Sequence, residues 1–90
     1  MSESSESAAE TTVTLPADLH ARPAGRLAQA AAGFESVIRL EYGGRIINPT
    51  GILAVMGLGA TAGSTVTIRA EGPDADHAIQ ALAQVLAEAA

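Results

Sequence analysis

His20 and Arg22 stand two residues apart, Pro23 follows at once, and an alanine-rich run begins behind them. Proline suits the first turn of a helix, where its missing N–H costs nothing. The trio therefore marks a helix start. Such a start exposes unpaired backbone N–H groups and carries roughly +0.5 of an elementary charge, and together these make an anion site. Arg22 is the sole cation of that first turn, and Arg26 lies one turn further on. A phosphate beside His20 could accept backbone N–H bonds and a guanidinium fork at once. Histidine is one of the side chains that form covalent intermediates, and neutral imidazole is the nucleophile. The only carboxylate close to it in sequence is Asp18, and no hydrolytic base is evident. A site that accepts phosphate without discharging it to water is a carrier. The same spacing also suits a histidine that caps a helix in solvent, so the spacing alone does not decide.

The elements that must hold these residues follow from periodicity. Residues 10–15 read as a strand, with Thr11, Val13 and Leu15 on one face and Thr12 and Thr14 on the other; Pro16 stops it. Ala24, Leu27, Ala28, Ala31 and Ala32 fall on one helix face, and Gly33 ends that helix. Residues 36–42 alternate again, with Ile38, Leu40 and Tyr42 pointing one way and Val37, Arg39 and Glu41 the other. Gly43-Gly44 makes a two-residue hairpin turn, and residues 45–48 return as a strand. The run Ile52-Leu53-Ala54-Val55-Met56 is a short helix, expected to keep part of its apolar face exposed. Residues 64–70 form the last strand, with Val66, Ile68 and Ala70 inward. Gly72-Pro73-Asp74 opens a final helix with the stripe Ala75, Ala78, Ile79, Leu82, Val85, Leu86 and Ala89, and Asp74 and Asp76 complement its positive end. The order β-α-β-β-α-β-α predicts an α+β fold, an antiparallel four-stranded sheet with helices on one face.

Ninety residues make one small domain, and the absence of cysteine excludes disulfides and thiolate metal sites. With 48% apolar and 2% aromatic residues the core must be aliphatic. The net charge is −5, and the five basic residues are all arginines, scattered along the chain. That argues against nucleic acid and against an anionic membrane surface, both of which need concentrated positive charge. No apolar run is long enough to span a bilayer. Residues 1–9, rich in Ser and Glu, read as a solvated tail without the features of a secretory signal, ahead of a domain over residues 10–90. The setting expected is the cytoplasm, with no cofactor, no metal and no stable oligomer. His77 reads as a solvated helix residue, since a metal shared with His20 would lack a third ligand.

The stretch Leu19-His20-Ala21-Arg22-Pro23-Ala24 resembles the signature of the HPr family, the histidine-containing phosphocarriers of the bacterial phosphotransferase system. Ile52-Leu53-Ala54-Val55-Met56-Gly57-Leu58-Gly59 is similar to that family's short second helix. The resemblance covers about residues 13 to 87 and implies the family's open-faced β-sandwich. It implies that His20 takes phosphate through Nδ1 from an enzyme I-type donor, itself dependent on phosphoenolpyruvate. His20 would then pass it to a histidine on an EIIA-type sugar-specific or regulatory partner. Arg22 would contact the phosphate, the backbone of Ala21 and Arg22 would donate to it, and Ile52, Leu53 and Met56 would form an apolar docking surface. The chain would act as a carrier and not as a free-standing enzyme. A nitrogen-related regulatory branch, a dihydroxyacetone-kinase branch and a non-phosphorylated binding module are the alternatives. The chain departs from the family pattern at Asp18, where Gly is usual, at Ala17 and Gly25, and at Gly51, which stands where some relatives carry a regulatory serine. It also lacks the lysines with which relatives meet acidic partners.

Overall fold

A computed structural model describes residues 7–89. Its elements are β1 (Ser7–Thr14), α1 (Ala21–Ala31), β2 (Val37–Tyr42), β3 (Arg45–Ile47), α2 (Ile52–Gly57), β4 (Thr65–Gly72) and α3 (Ala75–Ala87). The four strands form one antiparallel sheet in the order β1-β4-β2-β3. This is the expected α+β architecture. Register explains its core: Thr11, Ile68, Leu40 and Ile47 lie in one row across the sheet, and Ala9, Ala70 and Ile38 in the next. These inward side chains meet α1 and α3, which contribute Ala24, Leu27 and Ala31 from one and Ala75, Ala78, Leu82 and Leu86 from the other. The core is built from aliphatic side chains, and Phe34 and Tyr42 sit at its edge, partly buried.

The opposite face of the sheet carries charge. Arg69, on the central strand β4, bonds Glu10 of β1 at 2.9 Å and lies 2.7 Å from a Glu41 oxygen of β2. The hydrogen bond to Glu10 and the field of both carboxylates hold the guanidinium above its ordinary pKa. Exposure limits what this triad contributes to stability. The hairpin turn forms as expected, with Gly43 at φ 61° and Gly44 at φ 81°, values that glycine adopts at no steric cost.

Several boundaries differ from the periodic reading. The first strand begins at Ser7, three residues before the expected start, because β4 continues to Gly72 and supplies partners for Ser7, Ala8 and Ala9. The expected tail over residues 1–9 therefore loses its last three residues to the sheet, and residues 1–6 lie outside the described residues. Ala32 is the exposed C-cap of α1 and not part of its buried stripe. Ile79 and Val85 are only partly buried at the margin of α3.

Asp74 does more than complement a helix dipole. Its carboxylate accepts from the Glu35 and Ser36 backbone N–H groups, each at 2.9 Å, and from the Ser36 hydroxyl. These bonds fasten the start of β2 to the start of α3. They hold the Asp74 carboxyl below its ordinary range, the Ser36 hydroxyl being the largest cause. Gly72 lies beside this knot at φ 147°, and a Cβ there would come within 2.7 Å of Ser36 Cα and Oγ. Only glycine fits. Among the described residues no helix is long and apolar enough to cross a membrane.

Candidate functional site

His20 is the N-cap of α1, in extended conformation, with φ −84° and ψ −167°. Its backbone carbonyl accepts the first helical bond, from Ala24 N–H at 3.0 Å. Its imidazole makes no capping bond and is exposed. Pro23, third in the helix and buried, has no N–H to offer. The orphan donors of this helix start are thus the amides of Ala21 and Arg22. No acidic side chain occupies the first turn to compete for them.

The backbone that carries the imidazole is anchored on both sides in sequence. Leu19 is 4% exposed, and its N–H donates to the Ala60 carbonyl at 3.1 Å. Pro23, Ala24 and Leu27 are buried on the other side. Arg22 and Arg26 are both exposed and line a shallow cleft with Pro23 and, from the last turn of α3 and just beyond it, Val85 and Ala89. The carbonyl end of α3 faces this cleft and favours cations there. Neither arginine forms an ion pair among the described residues. The guanidinium groups are free to meet an incoming anion.

The short helix α2 adjoins this site. Val55 is fully buried, whereas Ile52, Leu53 and Met56 are 44%, 82% and 38% exposed. Ile52 rests against α1 at Gly25, where an added Cβ would lie 4.0 Å from Ile52 Cδ1. The exposed apolar side chains and His20 are therefore carried by two helices in contact. Gly51, the N-cap of α2, has room for a larger residue, since its Cβ would meet only Ala54 Cβ at 3.6 Å and the Asn48 carbonyl at 3.8 Å. The absent hydroxyl is a matter of sequence and not of space.

Two contacts escaped the sequence reading. Arg45 Nη1 donates to the Gly57 carbonyl at 2.9 Å, placing a cation on the C-terminal end of α2 and tying that helix to β3. Asp18 Oδ1 accepts from Ala62 N–H at 2.8 Å. Sequence shows a carboxylate near His20 but not the backbone amide, 44 residues away, that engages it. His77 is exposed on α3, and no group of three or more His, Asp or Glu side chains among the described residues is placed to hold a metal ion.

The family model for the PTS HPr component phosphorylation site matches residues 7–88. The phosphocarrier protein HPr from Bacillus anthracis is 36% identical, with a TM-score of 0.78 over 90% of this chain and 96% of that one. An HPr from Thermoanaerobacter tengcongensis, solved as a dimer, is 40% identical, with a TM-score of 0.69 over 74% and 77%. The catabolite-repression HPr, Crh, of Bacillus subtilis is 32% identical, with a TM-score of 0.68 over 91% and 100%. A helix start built around an exposed histidine, in a sheet-and-helix frame matched nearly end to end, places this chain in the HPr family of phosphotransferase-system phosphocarriers.

Proposed function

We propose that the chain accepts a phosphoryl group on His20 from an enzyme I-type donor and hands it to a histidine on an EIIA-type or regulatory acceptor. The observation that carries this reading is the exposed, uncapped imidazole at the start of α1, followed in sequence by the first amides of that helix, Ala21 and Arg22, and by the exposed Arg22 side chain. In the transfer, the Nδ1 lone pair of His20 forms a P–N bond as the donor's P–N bond breaks. The donor imidazole leaves with that electron pair, and the His20 proton stays on Nε2. The Ala21 and Arg22 amides and the Arg22 guanidinium receive the phosphoryl oxygens. The protein's share is positioning and charge stabilisation. Ile52, Leu53 and Met56 form the apolar surface on which donor and acceptor dock in turn, in the cytoplasm, with the chain acting as a monomer.

Intact-protein mass spectrometry after incubation with phosphoenolpyruvate and a general enzyme I tests the reading. The expected result is an acid-labile gain of one phosphate, lost in His20→Ala. No gain in the wild-type chain with a donor that charges other HPr proteins would overturn it for that donor. One observation favours a second reading, in which the partners belong to a regulatory branch or to a dihydroxyacetone kinase. The chain has no lysine, and Gln29, Ala32 and Ala54 around the site are neutral. Charging competition between a sugar-specific and a regulatory acceptor separates the two.

A further inference from the structure

The segment that carries His20 is clasped to the loop that precedes β4. Leu15 N–H donates to the Ser64 carbonyl at 2.8 Å, Gly63 N–H to the Leu15 carbonyl at 2.8 Å, and Leu19 N–H to the Ala60 carbonyl at 3.1 Å. All three are backbone bonds that many sequences could make. The fourth depends on a particular side chain: the Asp18 carboxylate accepts from Ala62 N–H at 2.8 Å. A carboxylate on an amide is a charge-assisted bond, shorter and stronger than one between neutral groups.

The receiving loop is itself fixed. Ser64 N–H bonds the Thr61 carbonyl at 2.9 Å, the Ser64 hydroxyl caps Thr61 N–H at 3.3 Å, and that hydroxyl reaches the Tyr42 phenol on β2 at 3.2 Å. Gly63, at φ 88°, gives the turn its shape. The path from His20 thus runs through Asp18 into a rigid turn and on to the sheet. Without Asp18, the two residues between the buried Leu15 and the buried Leu19 that follow Pro16 have no side-chain tether.

We infer that Asp18 is a positioning residue for His20, holding by its bond to Ala62 N–H the segment that presents the imidazole to the phosphoryl group. The inference rests on the phosphocarrier reading and adds to it the device that sets the histidine's place. Asp18 touches neither donor nor phosphate in this role. It acts through the backbone, two residues before the ring it serves.

Two variants separate the clasp from the charge. Asp18→Asn keeps an Oδ1 acceptor for Ala62 N–H and removes the charge; Asp18→Ala removes both. The rate of phosphorylation by phosphoenolpyruvate and enzyme I is measured against carrier concentration. In Asp18→Ala the maximal rate is expected to fall about tenfold with little change in half-saturation, the signature of a misplaced reacting group, below the ~10²-fold that a displacement of one ångström can cost. Asp18→Asn restores most of it. A rate equal to wild type in Asp18→Ala overturns the inference, even if its melting temperature drops. Equal losses in Asn and Ala also overturn it, since the charge and not the clasp would then be responsible.

Two readouts need no donor: hydrogen exchange at the Ala62 amide and the backbone NMR shifts of residues 19–22. Faster exchange together with displaced shifts in Asp18→Ala, both largely reversed in Asp18→Asn, supports positioning. Unchanged shifts at residues 19–22 in Asp18→Ala overturn it. If the wild-type chain takes no phosphate, the phosphocarrier reading fails by itself, and these two readouts still judge the clasp.

Discussion

At the residue scale, two side chains make separate demands. Arg22 is exposed and unpaired among the described residues, so its removal leaves no buried hole and no orphaned partner. In the proposed transfer its guanidinium would present a planar fork to phosphoryl oxygens, which an ammonium cannot copy. Arg22→Ala should therefore slow phosphoryl acceptance by at least about tenfold, toward the ~10²-fold typical of losing one transition-state donor, while the melting temperature stays put. Arg22→Lys should recover only part of the rate. A large fall in melting temperature in either would assign Arg22 to the scaffold. Asp74 is the converse case, a residue of the scaffold far from the chemistry. Its folded-state pKa is lowered, first by the Ser36 hydroxyl and then by backbone N–H groups. A depressed carboxyl stabilises the fold fully above the unfolded value of about 4 and loses that contribution as pH falls through the folded value. Asp74→Asn should thus unfold at lower urea than wild type at pH 7, with the gap closing as pH drops below about 4. A gap that stays constant to pH 2 would show that the charge is irrelevant to the knot.

At the scale of elements, α2 assigns opposite duties to neighbouring residues. Val55 is fully buried and Leu53 is 82% exposed, two positions apart on a helix of six residues. Val55→Ala removes buried methyl groups and should cost about 2 kcal/mol, lowering the melting temperature by roughly 10 °C in a domain of this size. Leu53→Asp should leave the melting temperature unchanged and weaken binding to enzyme I by about tenfold, as loss of a docking anchor does. Titration calorimetry and thermal unfolding on both variants check the pair; a Leu53→Asp variant that binds normally would remove α2 from the docking surface.

The same element shows what sequence could and could not tell. The apolar run between Gly51 and Gly57 is visible in sequence, and so is the glycine hairpin, because both depend on residues close together in the chain. The start of β1 was not visible. Ser-Ala-Ala shows no alternation, and those residues are strand only because β4 is long enough to pair with them. The partners of Asp74 and Asp18 were hidden for a related reason. Each carboxylate meets backbone amides about forty residues away, and a backbone amide leaves no mark in a sequence. His20 stood out because its helix start is local, whereas the clasp that holds its segment is not.

At the scale of the whole molecule, the fold sorts charge along the direction of the strands. The start of α1, the start of β4 and the end of α3 share one end, joined by the bonds between the segments around residues 15–19 and 60–64 and by the cleft of Arg22, Arg26 and Ala89. The end of α1, the start of β2 and the start of α3 share the other, joined through Ser36 and Asp74. That far end holds Glu35, Glu71, Asp74 and Asp76, while the end with His20 sets Arg22, Arg26 and Arg45 against Asp18 and Glu88. A partner arriving at His20 therefore meets a field close to balance despite the net charge of −5. With little charge to screen, association with an acidic acceptor should depend weakly on salt. We expect the association rate to change less than about threefold between ~0.01 M and ~0.15 M, although the Debye length shrinks from about 30 Å to about 8 Å. Stopped-flow mixing over that range measures it. A steep fall with salt would mean that the three arginines dominate the encounter, and a rise would mean that the acidic far end is felt across the whole protein. A flat response would leave the exposed Ile52, Leu53 and Met56 as the source of affinity.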